Sequence, residues 1–227
     1  MYLDDLKLHI IGDLLTKSYL VETPNGLFLI DTGASGNEPR IFRKMDQINR
    51  NDLKLIYITH AHFDHYGSAQ ALQQKTGAPI AVHRSDAGYM SRGETPLEKV
   101  RSWGRLGKRF LPIAKMFWST KETEADILVE EGHSFESLGL NAVVLHMPGH
   151  TPGSTCLLLE GKYAFVGDLV ISQPWLHVQN YYADNWDDVV RSFERLKKLS
   201  PRVVFPGHGR PINGDKLDKI KYDHMNR

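Results

Sequence analysis

Six consecutive residues constrain this chain more than any other feature: His60-Ala61-His62-Phe63-Asp64-His65. Three imidazoles and a carboxylate packed this closely make poor core filler. Protonated together the rings repel one another, and neutral they each need a buried partner. A divalent metal resolves both difficulties, because neutral imidazole and carboxylate oxygen are its usual ligands. The apolar run Leu53 to Thr59 reads as a buried strand that ends in His60. Side chains alternate along a strand, so His60 and His62 are expected to point the same way. Asp64 and His65 then fall at the turn into the next helix.

Three further segments share one form, an apolar strand ending in a polar residue beside glycine. They are Leu145-His146-Met147-Pro148-Gly149-His150, Ala164-Phe165-Val166-Gly167-Asp168 and Val203-Val204-Phe205-Pro206-Gly207-His208. Ligands carried at strand ends can converge at one sheet edge, and glycine lets the backbone approach a metal without a Cβ clash. Helical spacing is clearest over residues 186 to 199, with an apolar stripe from Trp186 to Leu199, acids first and lysines last. Strands are expected over residues 6–11, 18–22, 27–30, 79–83, 126–129, 141–147, 154–160, 162–166 and 202–205, and a helix near 67–75. Glu160-Gly161-Lys162 reads as a tight hairpin. The stretch from Arg84 to Lys121 carries nine Lys or Arg, and Leu97, Val100, Trp103, Leu106 and Phe110 recur at helical steps. It reads as a basic, amphipathic helical insertion at residues 84–121.

Composition narrows the class. With 227 residues, 41% of them hydrophobic, and 28 Lys plus Arg against 27 Asp plus Glu, the chain can bury a core, so disorder is excluded. The length fits one large domain or two small ones, and the chain is read as one domain over residues 1–227. A single cysteine, Cys156, excludes a disulfide scaffold and reads as a small buried hydrophobe. No apolar run is long enough for a transmembrane helix, and acids stand near the N-terminus where a secretory signal has basic residues, so the expectation is a soluble, cytoplasmic protein. Near-neutral charge argues against nucleic acid as a partner.

The order His60-x-His62-x-Asp64-His65, His150, Asp168, His208, with Asp31-Thr32-Gly33 ending an early strand, resembles the metallo-β-lactamase superfamily in its binuclear, glyoxalase II-like branch. The resemblance covers residues 5 to about 215. It implies an α/β fold, a four-layer αββα sandwich with the metals at the sheet edges. It implies one metal on His60, His62 and His150, a second on Asp64, His65 and His208, and Asp168 bridging the two. Zinc is the favoured ion, with iron or manganese also suited to the donor set.

Two divalent ions can share a water, lower its pKa and present a bridging hydroxide as nucleophile. The expected activity is therefore hydrolysis of a small ester, thioester or lactone, with Asp64 and Asp168 as the catalytic carboxylates and an anionic or acyl small molecule as substrate. The sequence departs from particular branches. Only 19 residues follow His208, short of the C-terminal helical part of glyoxalase II, and Ile171 stands where acyl-homoserine lactonases place a tyrosine. The alternatives are a mononuclear iron persulfide dioxygenase, using His60, His150 and Asp168, and a phosphodiesterase. His177 and Tyr181, in the loop after Asp168, and Trp103 and Phe110, in the insertion, are the candidate substrate residues. The insertion itself is read as a lid, a homodimer contact or a membrane-surface element.

Overall fold

Strands that are apolar on both faces make two stacked sheets with helices outside them. The computed structural model describes residues 1–4, 6–12, 16–96, 99–100, 120–220 and 222. The first sheet contains β1 (Tyr2–Leu3), β2 (Leu6–Gly12), β3 (Lys17–Thr23), β4 (Gly26–Ile30), β5 (Leu53–Ile58), β6 (Ile80–His83) and, set apart in sequence by β7 (Lys99–Val100), β8 (Ile127–Val129). They lie in the order β1-β2-β3-β4-β5-β6-β8, antiparallel up to β4 and parallel from there on. The second sheet holds β9 (Ala142–His146), β10 (Thr155–Leu159), β11 (Tyr163–Gly167), β15 (Val203–Pro206) and β16 (Ile212–Asn213), in the order β16-β15-β11-β10-β9. Two short ribbons stand apart: β12 (Val170–Ile171) pairs with β13 (His177–Val178), and β14 (Tyr182–Ala183) pairs with β7.

The period of two in each strand sorts its side chains into separate cores. In β4, Phe28 and Ile30 face the second sheet, while Leu27 and Leu29 face the helices. A register shift opposite Lys54 puts Leu53 and Leu55 on different faces of β5, although they stand two apart. Between the sheets Tyr19, Phe165 and Phe205 pack together, with ring centroids 4.7–5.4 Å apart, and the Tyr19 hydroxyl donates to the Pro206 carbonyl at 2.6 Å. Outside the first sheet lie α1 (Glu38–Gln47), α3 (Ala69–Thr76) and α4 (Arg84–Ser91), which bury Ile41, Met45, Leu72 and Met90, and between α1 and α3 comes the single turn α2 (Phe63–Tyr66). Outside the second sheet α5 (Trp186–Leu199) buries Val189, Phe193 and Leu196 against Leu145, Ala164, Val166 and Val204. Cys156 is fully buried in that layer. The result is the four-layer αββα sandwich expected from the sequence.

Local signals account for most of the boundaries. α5 spans the residues its apolar stripe indicates. Asn185 caps it by accepting from the Asp187 and Asp188 N–H groups at 3.0 and 3.4 Å, and Ser200 ends it in a left-handed conformation before Pro201. Glu160 and Gly161 both have positive φ in the three-residue link between the paired Leu159 and Tyr163, and the Lys162 N–H closes the turn on the Leu159 carbonyl at 3.0 Å. α1 escaped the sequence reading because only Ile41 and Met45 are buried in it, among charged neighbours. The insertion differs from expectation where it is described. Residues 84–91 are helical, but Val100, expected on a helical face, lies in a strand opposite Tyr182. Leu97, Trp103, Leu106 and Phe110 lie outside the described residues. Among the described residues no helix is long and apolar enough to cross a membrane.

Candidate metal centre

The four ligand-bearing segments leave their strands at one edge of the sandwich. β11 and β15 run parallel, so Asp168 and His208 emerge side by side, and the Gly207 N–H donates to the Gly167 carbonyl at 2.7 Å. Across the sheets, the Thr59 carbonyl accepts from the Thr155 N–H at 3.1 Å and from the Thr155 hydroxyl at 3.0 Å, which joins the end of β5 to β10. A Cβ on Gly207 would sit 2.5 Å from His65 Cε1 and 2.6 Å from Asp168 Oδ1, so this close approach requires glycine. The reason His60 and His62 converge is not the one expected. β5 ends at Ile58, and the two residues lie in a turn closed by the His62 N–H donating to the His60 carbonyl at 3.0 Å, with His62 immediately before α2.

All seven side chains singled out in the sequence meet. His60, His62, His150 and Asp168 form one group, and Asp64, His65 and His208 a second; within each, one donor atom per residue lies within 4.8 Å of the others. His150 Nε2 is 3.2 Å from His60 Nε2 and 3.0 Å from His62 Nδ1. Corners of a tetrahedron with metal–nitrogen bonds of about 2.0 Å stand about 3.3 Å apart, so this spacing suits a shared ion.

The outward ring nitrogens decide which nitrogen each histidine offers inward. His62 Nε2–H donates to the Pro96 carbonyl at 2.8 Å, and His150 Nδ1–H to the Tyr182 carbonyl at 2.9 Å. Carbonyls only accept, so both inward nitrogens present lone pairs. Asp31 performs the same service twice. Its Oδ2 accepts from His65 Nδ1–H and from the Thr59 hydroxyl, both at 2.8 Å, and Thr59 Oγ1 in turn accepts His60 Nδ1–H at 3.0 Å. One buried carboxylate thereby orients a histidine in each group.

The electrostatics show what charge the site calls for. Burial, then the His62 charge beside it, pushes His150 down to about 3, and burial with neighbouring imidazoles holds His60 well below its ordinary value. Burial opposes a charge on His65 and His208 as well, but Asp168 overcomes it and lifts His208 to about 9; with Asp31 it holds His65 well above normal. The carboxylates therefore call for positive charge, which protons supply when no metal does. His65 Nε2 and Asp168 Oδ1 lie 3.2 Å apart, both buried and without a hydrogen-bond partner among the described residues. Three converging lone pairs, orphaned buried polar atoms and two central carboxylates fit divalent metal.

A cavity of about 290 Å³ opens onto these groups, lined by His62, Phe63, Asp64, Thr95, Asp168, Ile171, Gln173, Gln179, Tyr181, Tyr182 and His208. Tyr181 thus faces the metal groups. His177 is not in the wall: it is 7% exposed, bonds to the Trp175 carbonyl through Nδ1 at 2.8 Å, and packs edge-on against Tyr181. Trp103 and Phe110 lie outside the described residues. Sequence reasoning gave no role to Asp31, Thr59, Asp86 or Gln179. For Asp31 the signal was available, an acid ending an otherwise wholly apolar strand.

Comparison with known proteins agrees with this geometry. Residues 11–208 match the Metallo-beta-lactamase superfamily. Hydroxyacylglutathione hydrolase GloC of Haemophilus influenzae is 30% identical over 80% of this chain and 79% of that protein. Acyl-coenzyme A thioesterase MBLAC2 of Gallus gallus is 29% identical over 76% of this chain, which spans 62% of the longer relative. The solved structure of TTHA1623 in a di-iron-bound form superposes with a TM-score of 0.67 at 26% identity, over 96% of this chain and 99% of that one. The chain is a member of the metallo-beta-lactamase superfamily, with the His and Asp clusters of a metal-dependent hydrolase.

Proposed function

We propose that this protein is a two-metal hydrolase of small thioesters. The observation that carries the reading is Asp168, whose Oδ2 lies 3.4 Å from His150 Nε2 and 3.1 Å from His208 Nε2, so that one carboxylate belongs to both groups. His60, His62 and His150 would hold one ion and Asp64, His65 and His208 the other, with Asp168 shared. When bound, such a pair of divalent cations lowers the pKa of a shared water and polarises a scissile carbonyl. Zinc suits the donors, and the di-iron form of TTHA1623 supports iron as the alternative.

The chain's own residues do the remaining work. Asp31, Pro96 and Tyr182 hold the imidazole tautomers, so no ring has to reorient during turnover. Gln179 and Tyr181 offer polar groups along the cavity, and Phe63 and Ile171 offer apolar contact for an acyl chain. Cys156 is fully buried and its thiol is pushed up to about 12, so it is not a nucleophile. The thioester class is favoured because the two curated relatives are named for acylglutathione and acyl-coenzyme A hydrolysis.

The test is metal content on protein purified without added metal or chelator, followed by a panel of thioesters, lactones and phosphodiesters. Two metals per chain, with thioester turnover lost on chelation and restored by metal, is the expected result. A single iron with thiol-dependent oxygen uptake and no ester turnover would replace this reading with the dioxygenase one.

A further inference from the structure

We propose that Asp86 is a positioning residue that sets the metal affinity of the His60, His62 and His150 group; the inference rests on the two-metal reading above. Asp86 lies on α4, is 0% exposed, and touches none of the seven ligands through a hydrogen bond. Its Oδ2 accepts from the Ala61 N–H at 2.7 Å and from the Thr151 hydroxyl at 2.8 Å, and its Oδ1 accepts from the Gly153 N–H at 2.7 Å. Ala61 separates His60 from His62, and Thr151 follows His150. One carboxylate therefore clamps the two loops, from opposite sheets, whose ring nitrogens must stay 3.0–3.2 Å apart.

Burying an ionised carboxylate is costly unless donors surround it, and here every donor comes from a ligand-bearing loop. Gly153 is fitted to the same contact, since a Cβ there would lie 2.6 Å from Asp86 Oδ1. The chain beyond α4 extends the clamp: Thr95 Oγ1 accepts from the Phe63 N–H at 3.2 Å, and the Pro96 carbonyl from His62. The second group is secured from elsewhere, His65 by Asp31 and the Asp64 carbonyl by the Thr16 hydroxyl at 2.9 Å. Asp86 thus acts on one group and not the other.

An Asp86→Asn change exposes the clamp with little change in shape. If the amide oxygen keeps Ala61 and Thr151, the NH₂ faces the Gly153 N–H and that bond is lost. Partners hydrogen-bonded to the ligands themselves typically change metal affinity by about 10–100-fold, and the clamp, which holds the backbone carrying three ligands, is expected in the same range. The experiment measures Zn²⁺ affinity by chelator competition in two backgrounds, H208A, which keeps the first group, and H60A, which keeps the second. D86N should weaken Zn²⁺ about 10–100-fold in H208A and less than about twofold in H60A. G153A should act in the same direction with no change in charge, and together with Thr151→Val it carries the test if D86N does not fold. Unchanged affinity in H208A, or equal losses in both backgrounds, would overturn the proposal. Wild-type protein that binds neither Zn²⁺ nor Fe²⁺ would instead overturn the two-metal reading itself.

Discussion

Replacing Asp31 by Asn tests whether one carboxylate fixes ligands in both groups. Asp31 is 1% exposed, and its oxygens take the Thr59 N–H on Oδ1 at 2.8 Å and, on Oδ2, His65 Nδ1–H and the Thr59 hydroxyl. An amide has one accepting end, so two orientations compete. With its oxygen at the Oδ2 position, the NH₂ faces the Thr59 N–H and leaves a buried donor unpaired, a cost of about 1–3 kcal/mol to the fold. With its oxygen at the Oδ1 position, the NH₂ faces His65 Nδ1 and the Thr59 hydroxyl. His65 then accepts on Nδ1 and carries its proton on Nε2, the nitrogen needed inside, whereas the Thr59 hydroxyl can still donate to the amide oxygen 3.1 Å away and leave His60 as it is. The first orientation preserves the tautomers but removes a negative charge that raises the basicity of His65. Either way metal affinity should fall by about 10–100-fold, or about 1.4–2.7 kcal/mol. Urea unfolding of metal-free protein reads the first cost, and chelator competition reads the second. Affinity within twofold of wild type, alongside the expected loss of stability, would refute the tautomer argument.

Other expectations follow from single contacts. Asp168→Asn should lower metal content below that of wild type, read by elemental analysis, because the shared carboxylate loses its charge. Asn185→Ala should cost about 1 kcal/mol in urea unfolding, since the cap of α5 leaves two N–H groups without their acceptor. Burial, then the stacked ring of His146 at 4.1 Å, pushes His83 down to about 4. A depressed histidine contributes stability that is present above its unfolded pKa of about 6.5 and lost as pH falls through about 4. Metal-free wild type should therefore weaken over that window more steeply than His83→Asn, which keeps a cap acceptor for the Ser85 N–H. Parallel pH profiles for the two would remove His83 from the account.

The strands and the candidate ligands were legible because they rest on local, periodic signals, and the architecture was implied by the resemblance that the ligand motifs carry. A strand wholly apolar along its length, such as Leu27 to Ile30, has to be covered on both faces, and the resemblance carried by the ligand motifs implies that a second sheet and outer helices supply the cover. The clustered histidines had no other inexpensive resting place in a buried setting. α5 was legible to the residue because its stripe, first-turn acids, last-turn lysines and terminal Pro201 all agree. The order of the ligand motifs carried the family, since each motif ends a strand and strands deliver their ends to one edge.

What lay beyond the sequence depends on contacts between distant segments. Nothing in the local pattern shows that Asp86, on the helix after β6, meets Gly153 some 67 residues later, or that Pro96 supplies the carbonyl for His62. These are single hydrogen bonds without periodicity, set by how the two sheets stack. The same holds for Val100, whose helical spacing lost to pairing with Tyr182, and for His177, turned from the cavity by its bond to Trp175. Residue type and spacing alone thus picked out the candidate metal ligands, and their order implied, through the resemblance, the sandwich that carries them. Only the tertiary structure decided which nitrogen each ring offers and which carboxylates hold it there, because tautomers answer to partners that the chain brings in from far along its length.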